Sequence, residues 1–96
     1  MMVGIFAWKN NSMGVYDPVK KVFRKNNGKH LINGVSDILG ILKNGKLLAI
    51  EVKSKTGRLT GDQRVFLERI KDNGGLAFVA RSISDVINKF KELKII

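Results

Sequence analysis

The sequence predicts an α/β domain. Apolar runs of strand length, such as LLAIEV and LAFVA, are interleaved with two segments whose apolar residues recur at helical spacing. Asn44-Gly45 separates two of these runs as a hairpin turn would, pairing residues 36–42 with residues 46–53. The run LAFVAR follows a helical segment, the order in which a crossover returns a strand parallel to an earlier one. Ninety-six residues suffice for one domain, spanning 1–96, with a modest core that pairing with a second copy would support.

Residues 3 to 8, VGIFAW, read as the first strand, with Phe6 and Trp8 as core residues. KNNSMG is the turn or loop behind it. A second extended piece runs from Lys20 to Arg24, with KNNGKH as its turn. SDILGIL and KLLAIEVK are the arms of the hairpin, and SKTGRL is a polar loop leading to the first helix. That helix is punctuated at both ends. Thr60 and Gln63 have the spacing of a capping box, Phe66, Leu67 and Ile70 form its apolar stripe, and Gly74 or Gly75 stops it. After the LAFVAR strand, a last helix starts near Ser82 or Ser84 and buries Val86, Ile87, Phe90 and Leu93.

Composition narrows the chemistry. The chain has no cysteine and one histidine, His30, so disulfide frameworks, thiolate zinc sites and histidine metal sites are excluded, and any metal would be a hard cation held by oxygen. The apolar run Val3 to Trp8 is too short to span a bilayer and lacks the flanks of a signal peptide, so the expected location is the cytoplasm. The formal charge is +10, from eighteen Lys and Arg against eight Asp and Glu. It is spread over both halves of the chain, which points to a polyanionic partner, most simply the phosphates of nucleic acid.

The stretch LLAIEVKSK is where charge meets the core. Glu51 and Lys53 have one residue between them, so in a strand they share a face. Either the strand has emerged into water there, or an acid and a base are held together. Asp37, at the start of the partner run, is the acid that could join them, and register decides whether it does. A two-residue loop at Asn44-Gly45 puts Asp37 opposite Val52, on the wrong face. A three-residue loop or a bulge shifts it opposite Glu51 or Lys53. The expectation is an irregular hairpin, eased by Gly34 and Gly40.

Two carboxylates and a lysine converging at one end of a sheet suit metal-dependent phosphodiester cleavage. Carboxylates hold Mg²⁺ or Mn²⁺ beside the scissile phosphate, and lysine supplies a point charge to orient water and stabilise developing negative charge. Lys55 and Arg58, in the loop ahead of the helix, are placed for flanking phosphates. With these residues in view, NGVSDILGI, LLAIEVKSKTGRLTGDQRVFL and NGGLAFVARS resemble the VRR-NUC domain of the PD-(D/E)XK nuclease superfamily. The resemblance runs from FAWKNNS to Ser82 and implies a restriction-endonuclease-like mixed β-sheet flanked by helices.

It also implies site roles. By resemblance, Asp37 and Glu51 bind metal, the Val52 carbonyl is a further ligand, and Lys53 and Gln63 complete the catalytic set. The implied activity is a structure-selective DNA endonuclease cutting branched DNA such as Holliday junctions or flaps. It resembles the small free-standing viral and phage members, which are homodimers acting in bacterial or phage-infected cells. One departure stands out: the family usually has a glutamate on a helix before the first strand, and here no acid precedes Asp17. The third acid, and part of the dimer surface, depart from the family pattern.

The expected DNA contacts are Lys9 and Asn10 after the first strand, the basic hairpin of Lys20, Lys21, Arg24 and Lys25, and then Lys55 and Arg58. The apolar ending Leu93 to Ile96 is the candidate homodimer patch. Plain structural readings compete at several positions: an exposed ion pair for Glu51 and Lys53, a turn-stabilising Asp37, and a helix cap for Gln63. The alternative function is a basic DNA-binding module that keeps the nuclease fold without cutting.

Overall fold

The computed structural model describes residues 5–10, 15–17, 22–24 and 32–96. The elements are β1 (Phe6–Lys9), β2 (Val15–Asp17), β3 (Val22–Arg24), β4 (Ile38–Ile41), β5 (Leu47–Val52), α1 (Gly61–Asp72), β6 (Leu76–Ala80) and α2 (Ile83–Glu92). The main sheet has the order β1-β4-β5-β6, while β2 and β3 form a separate antiparallel pair. In the main sheet β1 pairs with β4 and β4 with β5, both antiparallel, and β6 lies parallel to β5, as the crossover through α1 requires. The fold is the expected α/β class, a mixed sheet with helices.

The hairpin is irregular in the predicted way. Leu42 donates to the Lys46 carbonyl at 2.8 Å, and Gly45 donates to the Leu42 carbonyl at 2.8 Å, closing a loop of Lys43, Asn44 and Gly45. Gly45 has φ +87, the left-handed residue that a three-residue hairpin loop needs. The register that follows pairs Ile38 with Ile50 and Leu39 with Ala49, so its continuation sets Asp37 opposite Glu51. Gly40 is not a bulge. It pairs with Ala7, and a Cβ there would meet the Ala7 side chain and Phe6 carbonyl at 2.9 Å, so it admits β1 at close range.

Alternation along β5 divides the core between the two faces of the sheet. Leu48 and Ile50 join Leu42, Phe78, Ala80 and Phe90 of α2 on one face. Ala49 joins Ala77 and Leu67 of α1 on the other, with Leu39, Phe66, Ile70 and Val79 packed around them. Both helices are well terminated. Thr60 and Gln63 form both bonds of the capping box, and Gly75 and Gly74 donate back to Ile70 and Lys71 to close α1. Ser82 caps α2, and Ile95 and Lys94 repeat the same closing pattern on Phe90 and Lys91.

Several expectations need correction. Phe6 and Trp8 are not core residues: Phe6 is 69% exposed and Trp8 41% exposed, because β1 is an edge strand and α1 lies over β5 and β6 instead. Leu93 is the C-cap of α2 and stays exposed, whereas Ile95 packs against the core. The partner of β3 precedes it in the chain, as β2, and the predicted turn at 25–30 lies outside the described residues. Among the described residues no helix is long and apolar enough to cross a membrane.

Candidate active site

The acid end of the hairpin is built by three adjacent strands. The Asn10 amide donates to the Asp37 carbonyl at 2.7 Å, which extends the β1 pairing one step past β4. Asp37 in turn accepts from the Val52 amide through Oδ2 at 3.0 Å. This bond fixes the carboxylate at the end of β5 and excludes a purely local turn role. Gly34, three residues earlier, has φ +73 and packs so closely on α1 that a Cβ would collide with the Asp62 carbonyl and the Gln63 amide. The segment that delivers Asp37 is thereby seated on the helix N-terminus.

Glu51 is 1% exposed, and its Oε1 has no hydrogen-bond partner. An exposed ion pair with Lys53 is therefore excluded. Burial is the main cause that raises the Glu51 carboxyl from 4.5 to about 7; a hydrogen bond with Asp37 and the Asp37 charge add to the rise, and Lys53 opposes it. Burial and the neighbouring carboxylate both favour the protonated form of Glu51. An unpaired buried carboxylate oxygen beside a second carboxylate is a donor set that a hard divalent cation fits. Among the described residues no third acidic, histidine or cysteine side chain joins the cluster. A cation there would rely on backbone carbonyl, water or phosphate oxygen for the rest of its shell.

The remaining site residues are distributed unevenly. Lys53 continues the Ala49–Glu51 face, and its amide donates to the Ala80 carbonyl at 3.0 Å, so its backbone is held by β6. The Val52 side chain is exposed on the α2 side, while its amide faces Asp37. In an extended strand the carbonyl of a residue points to the same edge as its amide, which directs the Val52 oxygen toward Asp37 as well. Gln63 accepts the Thr60 amide at 2.9 Å through Oε1 and donates its backbone amide to the Thr60 hydroxyl, so it is a helix cap, with its side-chain nitrogen still available for other contacts. Lys55 and Arg58 are exposed on the loop after β5. Lys9 pairs with Ile38, which places it on the α2 face, opposite the acids. Arg24 lies in β3, and Lys20, Lys21 and Lys25 are outside the described residues.

Sequence reading missed two residues of this end of the sheet. Arg81 reaches back from the end of β6: its guanidinium donates to the Ser54 and Gly57 carbonyls at 2.6 Å each, and to Lys55 at 3.5 Å. It clamps the loop that carries Lys55 and Arg58. Ser36, next to Asp37, is 1% exposed with an unpartnered Oγ. Nothing in a period-two or helical pattern distinguishes either residue.

The domain is thus a mixed α/β sheet whose central hairpin ends in a carboxylate pair, with a lysine on the same face. The family model of the VRR-NUC domain matches residues 16–84, and the chain belongs to the VRR-NUC family, within the PD-(D/E)XK nuclease superfamily. Membership makes its function nuclease-type, with DNA as the substrate. Comparisons with curated proteins and with solved structures found no match.

Proposed function

We propose that this domain hydrolyses phosphodiester bonds of branched DNA, such as four-way junctions or flaps, with Mg²⁺ or Mn²⁺. The observation that carries the reading is the buried, half-unpaired Glu51 carboxyl held against Asp37 at the end of the hairpin. Such a group is costly unless something positively charged completes it. A divalent cation at this pair would neutralise the scissile phosphate and acidify attacking water. Asp37, Glu51 and the Val52 carbonyl would hold it.

The protein's own residues do the rest. The Val52 amide orients the Asp37 carboxylate, and Val79, the register partner of Glu51, continues the apolar packing of Ala49, Ala77 and Leu67 up to one side of the site. Lys53 supplies a mobile ammonium on the acid face, suited to orient a nucleophilic water and to stabilise charge on the phosphate. Lys55 and Arg58 offer contacts to flanking phosphates. Four-way junctions need two coordinated nicks, which a two-fold homodimer provides by symmetry. Leu93 at 46% and Ile96 at 42% exposed remain available for such a contact.

The test is cleavage of an end-labelled four-way junction beside linear duplex and single strand, with wild type and Lys53→Ala. Junction-selective symmetric cuts that fall by roughly 10²–10³-fold in the variant are expected. Salt-sensitive binding without cutting in either metal would replace this reading with that of a DNA-binding module. Light scattering at micromolar concentration, with and without DNA, tests the homodimer, and a clean monomer in both conditions removes it.

A further inference from the structure

The exposed aromatic pair on the edge strand has no role in the chemistry above. Phe6 and Trp8 lie with ring centroids 5.5 Å apart and planes tilted by 46°. Their register partners are Ile41 and Leu39, which pair onward with Leu47 and Ala49. All six therefore sit on the α1 face of the sheet, the face that carries Glu51. α1 packs over the Ala49 and Ala77 side of this face and leaves its β1 side open. Trp8 is two residues from Asn10, whose amide is bonded to Asp37. A strand spacing of about 4.8 Å and a rise of about 3.4 Å per residue put the Trp8 and Asp37 Cα atoms about 8 Å apart. That is roughly the span of one nucleotide.

We propose that Trp8, supported by Phe6, is a stacking platform for an unpaired base of the DNA strand whose phosphate sits at Asp37 and Glu51. This deepens the nuclease reading and rests on it. Charge favours DNA as the occupant. Residues 5–10 and 38–50, which frame the platform, contain no acid, in a chain whose formal net charge is +10. A base inside an intact duplex cannot reach a side-chain ring, whereas one splayed at a junction, flap or bulge can, and stacking tolerates any sequence. The platform thus makes the site selective for DNA structure without reading base edges.

Trp8 is the sole tryptophan, so fluorescence excited at the red edge of the tryptophan band, where Tyr16 does not absorb, reports on it alone. The experiment titrates the full chain in EDTA with a closed hairpin duplex and with the same hairpin carrying a three-nucleotide bulge. Binding of Trp8→Ala and Trp8→Phe is followed by the anisotropy of labelled DNA. Expected are strong quenching by the bulged DNA and little by the closed duplex. Trp8→Ala should lose about 5- to 150-fold affinity for the bulged form and little for the duplex, and Trp8→Phe should recover most of it. Equal losses on both DNAs, no loss on either, or a fluorescence change that follows protein concentration without DNA, which marks self-association, would each overturn the platform. Cleavage by wild type in Mn²⁺ is scored alongside. Stacking without cutting removes the nuclease reading alone, and cutting without stacking removes the platform alone.

Discussion

The two faces of the main sheet are made from the same strands and do opposite things. On the α2 face, Leu48, Ile50, Phe78, Ala80 and Phe90 form a wholly apolar cluster, with Phe78 and Phe90 in an edge-to-face contact at 6.2 Å. On the α1 face, packing of the same kind ends one row past Ala49, where Glu51 lies buried with an oxygen unpaired. The difference teaches that alternation alone lets β5 carry an apolar core on one face and a buried, unpaired carboxyl on the other. Ile50 and Val52 point one way, Glu51 and Lys53 the other, so a site that costs free energy can sit one residue from the core that offsets it.

The largest effect should come from breaking the apolar face. Phe90→Ala removes a ring that is 2% exposed and is expected to cost about 3–5 kcal/mol, a large part of the roughly 5–15 kcal/mol available to a domain. Urea unfolding measures the loss. Under conditions where the variant is still folded, cleavage per folded molecule should hold. A folded Phe90→Ala that has lost its chemistry would show that the faces are not separable.

The next effect has the opposite sign on the other face. Glu51 keeps its proton in the folded state up to about pH 7, whereas in the unfolded chain it ionises near its ordinary 4.5. Between those values the native state binds more protons than the unfolded state, so stability falls as pH rises through this window and levels off above it. The loss is up to about 3 kcal/mol. Glu51→Gln cannot ionise, so thermal melts should show it more stable than wild type at pH 8 and similar at pH 4. Added Mg²⁺ at pH 8 should raise the wild-type melting temperature and leave Glu51→Gln unmoved. Parallel stability profiles for the two proteins would remove the claim that this face is held under strain.

How much of this was legible in the sequence depended on whether a feature is local. The capping box of Thr60 and Gln63, the stop at Gly74 and the hairpin at Asn44-Gly45 depend on neighbours, and all were readable. Alternation put Glu51 and Lys53 together, and Gly45 settled a register that the sequence left open between two choices. Coverage is not local. The strand pattern of GIFAW marks Phe6 and Trp8 as buried, but whether a strand lies at the sheet edge and which strands a helix covers are decided elsewhere in the chain. β2 was missed because three residues carry no usable period, and Arg81 because its partners lie 24 to 27 residues away.

Arg81 also supplies the smallest and sharpest test, since it is where the two faces communicate. Its amide is held by the Asp85 carboxylate of α2 at 2.8 Å, and its guanidinium grips the loop after Lys53. A guanidinium presents a planar fork that serves several carbonyls at once, whereas an ammonium carries the same charge on a single point. Arg81→Lys should therefore keep the electrostatic attraction for DNA and still loosen Lys55 and Arg58, weakening binding by roughly 1 kcal/mol, about fivefold. Arg81→Ala should bind no more than slightly worse than Arg81→Lys. If lysine restores full affinity, Arg81 acts on DNA as one more positive charge, and the clamp between the apolar face and the acid face carries no weight in binding.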